Sequence, residues 1–357
     1  MTTSESAAVI EYSIRARFDE ISQLLRDPQL ASRCAKPIGY WALTGDRRLP
    51  YALLERPVAE IIATPFKELS QTPAIGKKKM NSLVMLLERV LDERQPAPAT
   101  ISREEAVAPD DRFLPDAVSE SHWESWRETV RRHELTNEPL GHLAPTLNAL
   151  PTVIWNMPLS TYVEMPLTQL RRLKTHGDKR VRSVMEVFFF IHQVLGNVNS
   201  PRHIVTQLRP SFAIPIEQWI VDAIRREEPL NTQELRQGLV LPLLNQIEAD
   251  SNEGIGRLMA GRLGIESPPE TVIEQAERLG VTRARVYQLL ELGTQIMNVR
   301  WPEGWGQLIA LNERFKSRSE PQECADMLAT LRALLYPAKI RAESVKSESL
   351  ATVGVPA

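Results

Sequence analysis

The residues best equipped for chemistry lie in the run TVIEQAERLGVTRARVYQLLE, from Thr271 to Glu291. At helical spacing, Arg283, Ala284, Tyr287, Gln288 and Glu291 share one face, with Arg285 beside them. Arginine and glutamine carry planar sets of hydrogen-bond donors, and these can engage base edges in the DNA major groove. Such a face works only if something holds it at a fixed angle. Val286, Leu289, Leu290 and Gly293 supply an opposite, apolar face. Upstream, small Ala276 allows a close helix approach, Gly280 permits a sharp turn, and Thr282 offers a hydroxyl to cap the next helix. The run therefore predicts a helix-turn-helix over Val272–Glu291 whose second helix is able to enter a groove.

A second chemistry, anion contact, is written at two glycine turns. The first is Thr72-Pro73-Ala74-Ile75-Gly76-Lys77-Lys78-Lys79. The second gathers Lys174, His176, Lys179, Arg180 and Arg182 around Gly177, with Arg171 and Arg172 just ahead. A helix N-terminus presents free N–H groups and partial positive charge. Cations there oppose the helix dipole, so they make sense where an anion such as backbone phosphate sits. Gly76, Lys77, Lys78 and Lys79, and Gly177, Lys179 and Arg180, are the expected contacts.

These turns lie in segments that align without a gap, Leu49–Leu91 and Leu150–His192. Pro50, Pro57, Pro65 and Gly76 match Pro151, Pro158, Pro166 and Gly177, and Leu69, Lys78 and Ser82 match Leu170, Lys179 and Ser183. Prolines and glycines each restrict the backbone in their own way, so their joint match points to a duplicated module. Each copy predicts a short helix, a second helix starting at Pro57 or Pro158, a brief helical turn after Pro65 or Pro166, and a longer helix to about Asp92 or Gln193.

Composition sets the frame. The chain has 357 residues, 43% hydrophobic but only 6% aromatic, with a net charge of −2. Leu, Ala, Glu, Arg and Gln recur at helical spacing, so an all-α, multi-domain chain with two helix-hairpin-helix-like repeats and a helix-turn-helix domain is expected. Any nucleic-acid surface must be local, because the protein is not basic overall. Cys34 and Cys324 are too few for a zinc site of their own. The N-terminus lacks an apolar signal core, and Val184–Leu195 is too short and too polar for a membrane span. A cytoplasmic location without a membrane partner is expected. No nucleophile elbow, P-loop or metalloprotease motif occurs, and His122, His133, His142, His176, His192 and His203 are scattered. No enzyme activity, catalytic residue, metal or cofactor is expected.

The stretch VAEIIATPFKELSQTPAIGKKKMNSLVMLLERVL resembles the C-terminal domain of the bacterial RNA polymerase alpha subunit, through Thr72, Pro73, Gly76, Lys77, Lys78 and Met80. That resemblance implies backbone contact near the minor groove by Gly76, Lys78 and Lys79, and by Gly177, Lys179 and Arg180 in the second copy. IGRLMAGRLGIESPPETVIEQAERLGVTRARVYQLLE resembles domain 4 of primary sigma factors over about residues 254–298. It implies base contacts at Arg283, Ala284, Tyr287 and Gln288. The family carries Glu and Arg where Ala284 and Tyr287 stand, so its promoter preference is not implied. Losing the carboxylate removes an acceptor for cytosine.

The expected organisation is N-terminal helices and a first module over 1–95, a flexible Pro- and Ala-rich linker over 96–120, a second module over 121–200, a helical domain with the helix-turn-helix over 201–338, and a disordered tail over 339–357. The function expected is a bacterial DNA-binding transcription regulator with double-stranded DNA as partner. The alternatives are an adaptor binding RNA polymerase through protein contacts, or a DNA-repair accessory factor.

Overall fold

The computed structural model describes residues 2–92, 113–173, 176–196, 210–251, 254–318 and 320–342. Most of the expected linker, Lys174 and the tail beyond residue 342 lie outside the described residues. Among those residues all regular structure is helical, and extended pairing is confined to the isolated bridges Pro37–Pro57 and Pro139–Pro158. No helix among them is long and apolar enough to cross a membrane. The chain divides into two compact units: Met1–Arg132 with Tyr162–Asn197, and His133–Thr161 with Val198–Ala357.

The first unit starts with α1 (Thr2–Leu24) and α2 (Ala31–Cys34), followed by α3 (Val58–Ala63), α4 (Phe66–Ser70) and α5 (Lys77–Asp92). Ile14, Phe18, Ile21 and Leu25 form a buried stripe that packs α1 on α5, where Met80, Leu83, Leu87 and Val90 face inward. Trp41, Leu53, Ile61 and Leu69 complete this core. In the same unit, α6 (Glu120–Arg132) packs on a long helix, Asp178–Leu195. The Trp123 ring lies 4.7 Å from that of Phe188, and its Nε1 donates to the Met165 carbonyl at 2.7 Å.

Between α6 and that long helix come α7 (Leu140–Leu143), α8 (Ser160–Val163) and α9 (Leu167–Arg171); the long helix itself is α10 (Asp178–Leu195). A set of hydrogen bonds recurs in the two aligned regions. Val58 N donates to Lys36 O at 3.0 Å, Ile38 N to Arg56 O at 2.9 Å, and Gly39 N to Leu54 O at 2.9 Å. Leu159 N donates to Glu138 O at 3.0 Å, Leu140 N to Met157 O at 2.9 Å, and Gly141 N to Trp155 O at 2.9 Å. A Cβ on Gly39 would stand 3.0 Å from the Leu54 carbonyl, and one on Gly141 3.0 Å from that of Trp155. The likeness thus begins upstream of Leu49 and Leu150, at Pro37-Ile38-Gly39 and Pro139-Leu140-Gly141. A one-residue difference in the intervening loop hides it from gapless alignment. The pairing also corrects one expectation. Pro57 does not open its helix; it caps it with φ −55 and ψ 143, because the bridge to Pro37 needs an extended backbone, and α3 begins at Val58. After Pro158 the helix begins at Ser160.

The second unit continues with α11 (Ala213–Arg225), α12 (Thr232–Leu235), a π-helical turn at Arg236–Val240 and α13 (Leu241–Ser251). Then come α14 (Ile255–Leu263), α15 (Val272–Leu279), α16 (Arg283–Arg300), α17 (Gly304–Ser317) and α18 (Gln322–Leu335). Trp301, the residue after α16, is fully buried, donates to Glu217 at 3.1 Å and accepts at its carbonyl from Tyr336 Oη at 2.7 Å.

Candidate nucleic-acid interface

α15 starts with a capping box: Glu274 N donates to Thr271 Oγ1 at 3.3 Å, and Thr271 N to Glu274 Oε2 at 2.6 Å. It ends at Gly280, left-handed at φ 64, where Val281 N returns to Ala276 O at 3.0 Å. Thr282 then accepts from Arg285 N at 3.2 Å and opens α16. Ala276 and Val286 are buried. Gln275, also buried, anchors α15 by donating from Nε2 to Leu258 O at 2.8 Å. At Gly293 an added Cβ would meet Met259 Cε at 2.4 Å, so α16 crosses α14 closely.

This packing leaves Arg283, Ala284, Arg285, Tyr287, Gln288 and Glu291 exposed, with Tyr287 at 62%. The expected inner face holds too: Val286, Leu289 and Gly293 are buried and Leu290 is half-buried. Ile273, Leu279 and Val281 are exposed as well, and Ile273 and Val281 line one open cleft with Arg283.

The far end of α16 is fixed by charge. Arg300 and Asp250 are buried and pair through two contacts, Nε–Oδ2 at 2.8 Å and Nη2–Oδ1 at 2.9 Å. Arg300 also donates to the carbonyls of Gly141, Ala144 and Pro145. Burial alone would raise the Asp250 carboxyl. The Arg300 hydrogen bonds and charge, with the Leu147 amide and Gln246, hold it below the ordinary carboxylate value.

The first basic turn differs in mechanism from its expectation. Gly76 does not take a left-handed backbone; Ala74 does, at φ 64. Lys79 is drawn into the turn, donating from Nζ to the Ala74 carbonyl at 2.8 Å. Lys77 pairs with Glu11 at 2.9 Å. The structure adds two residues that sequence reasoning leaves out of the site. Arg47 and Arg48 join Lys77, Lys78, Asn81, Ser82 and Ser13 in lining one open cleft. Their signal in the sequence is a dibasic pair immediately before the first aligned residue, where the second copy has Asn148-Ala149.

Around the second turn, Gly177 caps α10 with φ −72, Lys179 is exposed and Arg180 is half-buried. Tyr162 Oη lies 2.8 Å from His176 Nε2. Burial pushes the tyrosine up to about 12, and burial with nearby Arg180 lowers His176. Among the described residues, no group of His, Cys, Asp or Glu is arranged to hold a metal ion. No family model, curated protein or solved structure matches the chain.

Proposed function

We propose that this protein is a non-enzymatic DNA-binding transcription regulator of the bacterial cytoplasm. It docks on double-stranded DNA through a helix-turn-helix formed by α15 and α16, and through a basic glycine turn in a duplicated helix-hairpin-helix-like module. One observation carries the reading. The exposed Arg283, Arg285, Tyr287 and Gln288 stand on the first turns of a helix whose other face is buried and whose start is fixed by Gly280 and Thr282. That is the arrangement a recognition helix needs, because its N-terminal residues meet the base edges. The recurring hydrogen bonds at Lys36–Val58 and Glu138–Leu159 support the duplication. One helix-turn-helix buries little surface, so a second contact on the same DNA raises overall affinity by effective concentration.

A second reading, an adaptor that binds RNA polymerase by protein contact, is favoured by the exposed apolar side chains Ile273 and Val281, which line one open cleft. Selection of duplexes from a random pool separates the two. The first reading expects enrichment of a shared sequence motif. No enrichment, together with capture of purified polymerase in the absence of DNA, overturns it in favour of the second.

A further inference from the structure

We propose that the cleft at the first glycine turn is a phosphoryl-binding site, and that the equivalent place in the second copy has given up that role. The DNA-binding reading enters only as the source of the phosphoryl group, a backbone phosphodiester; the cleft itself is argued from its own residues.

Two stretches of chain far apart in sequence bring like charges together here: Arg47 and Arg48 from the loop before Leu49, Lys77 and Lys78 from the first turn of α5. The loop is held in place. Arg89 grips Asp46 with two hydrogen bonds, at 2.6 and 2.7 Å, and Asp46 also accepts from Leu43 N at 2.7 Å. Ser82 Oγ lies 3.2 Å from the Lys78 carbonyl and 3.4 Å from that of Arg47, within reach of both basic segments. Arg48 is held left-handed at φ 60, a conformation that costs a non-glycine residue energy. Lys77 is already paired with Glu11 at 2.9 Å, but among the described residues no carboxylate lies within ion-pair distance of Arg47, Arg48 or Lys78. Strain and mutual repulsion gathered in one open cleft are what an anion would relieve. Gly76 fits the same picture. It needs no glycine conformation, and nothing stands within 4 Å of where its Cβ would be. A missing side chain at that point leaves the start of α5 open to close approach by a ligand.

In the aligned second copy three of the four cleft charges are replaced, and only Lys179 is kept where Lys78 stands. Asn148, Ala149 and Asp178 stand where Arg47, Arg48 and Lys77 stand in the first, and Phe190 where Arg89 grips the loop. Asn148 instead donates to the Ala249 carbonyl at 2.6 Å, and Leu147 N to Asp250 at 2.9 Å. Asp178 places a carboxylate in the first turn of α10, where it already complements the helix dipole.

The test compares full-length wild type with two variants, Arg47→Ala/Arg48→Ala/Lys78→Ala and Lys179→Ala/Arg180→Ala. The first measurement is the melting shift in inorganic pyrophosphate against chloride at equal ionic strength. The second is the slope of log affinity against log salt for a short mixed-sequence duplex. Pyrophosphate should raise the melting of wild type and of the Lys179/Arg180 variant but not of the triple variant. The triple variant's salt slope should fall by about 1–2 while the other variant's is unchanged. Arg48→Gly guards against misfolding as the explanation: it should melt higher than wild type and still bind pyrophosphate more weakly. A triple variant that keeps both the pyrophosphate shift and the salt slope overturns the cleft and leaves the DNA-binding reading standing. Equal losses in the Lys179/Arg180 variant overturn the asymmetry. Pyrophosphate stabilisation without duplex binding supports the cleft, assigns it to a small phosphorylated ligand, and overturns the DNA-binding reading.

Discussion

Asp250 shows how a single residue can govern an element that it does not belong to. Its carboxylate joins Arg300, at the end of α16, to the turn around Leu147. Asp250→Asn keeps the shape but leaves the Arg300 guanidinium buried without a counter-charge, at a cost of about 3–5 kcal/mol. The folded state holds the Asp250 carboxyl below its ordinary value, so its contribution is complete above about pH 4 and is lost as the pH falls further. Denaturant unfolding should show wild type well above Asp250→Asn at pH 7, and the gap should narrow in strong acid. A gap that is the same at every pH would contradict this role. None of it is legible in the sequence, because the partners lie far apart in the chain and neither sits in a motif. The polar face of Arg283, Tyr287 and Gln288 is legible, because helical spacing alone separates it from Val286 and Leu289. Arg47 and Arg48 fall between these cases: their charge is visible, but only the fold brings them to Lys78.

At the scale of elements, turns decide which predictions hold. Gly280 is left-handed with open space where a Cβ would go, so Gly280→Ala should cost only the backbone strain, about 1 kcal/mol. Ala74→Gly should do the reverse at the first basic turn and stabilise by about 1 kcal/mol, because Ala74 already sits at φ 64. Thermal melting of the two variants reads both signs. A neutral Ala74→Gly would mean that Lys79 and the carbonyl it holds fix that turn without strain. The sequence shows a glycine at Gly76 and suggests that it makes the turn; the backbone gives that work to Ala74, since side-chain and carbonyl contacts can override local preference. The matched prolines do predict where α4 and α9 begin. The Pro37-Ile38-Gly39 and Pro139-Leu140-Gly141 pairings escape because a loop of different length follows each.

At the scale of the whole chain, composition foretells an all-helical protein with local rather than general basic character, whereas the division into units follows contacts that no periodicity reveals. The second aligned segment contributes to both units. Acid should affect the first unit through His192. Burial, with Arg132 and His122, lowers it to about 4, while its ring nitrogen sits 2.7 Å from Thr129 Oγ1. The unfolded chain takes up that proton near pH 6.5, so stability falls as the pH drops from about 6.5 towards 4, by on the order of 2 kcal/mol. Calorimetry should find this loss reduced in His192→Gln; an unchanged acid slope would exclude His192 as its source. The central claim, that α16 reads DNA, is tested most directly by fluorescence anisotropy of the full-length protein on its selected duplex and on a scrambled one. Arg283→Ala should weaken binding to the selected duplex by about 1–3 kcal/mol and leave scrambled binding nearly unchanged. Equal affinity of wild type and Arg283→Ala for the selected duplex would contradict it.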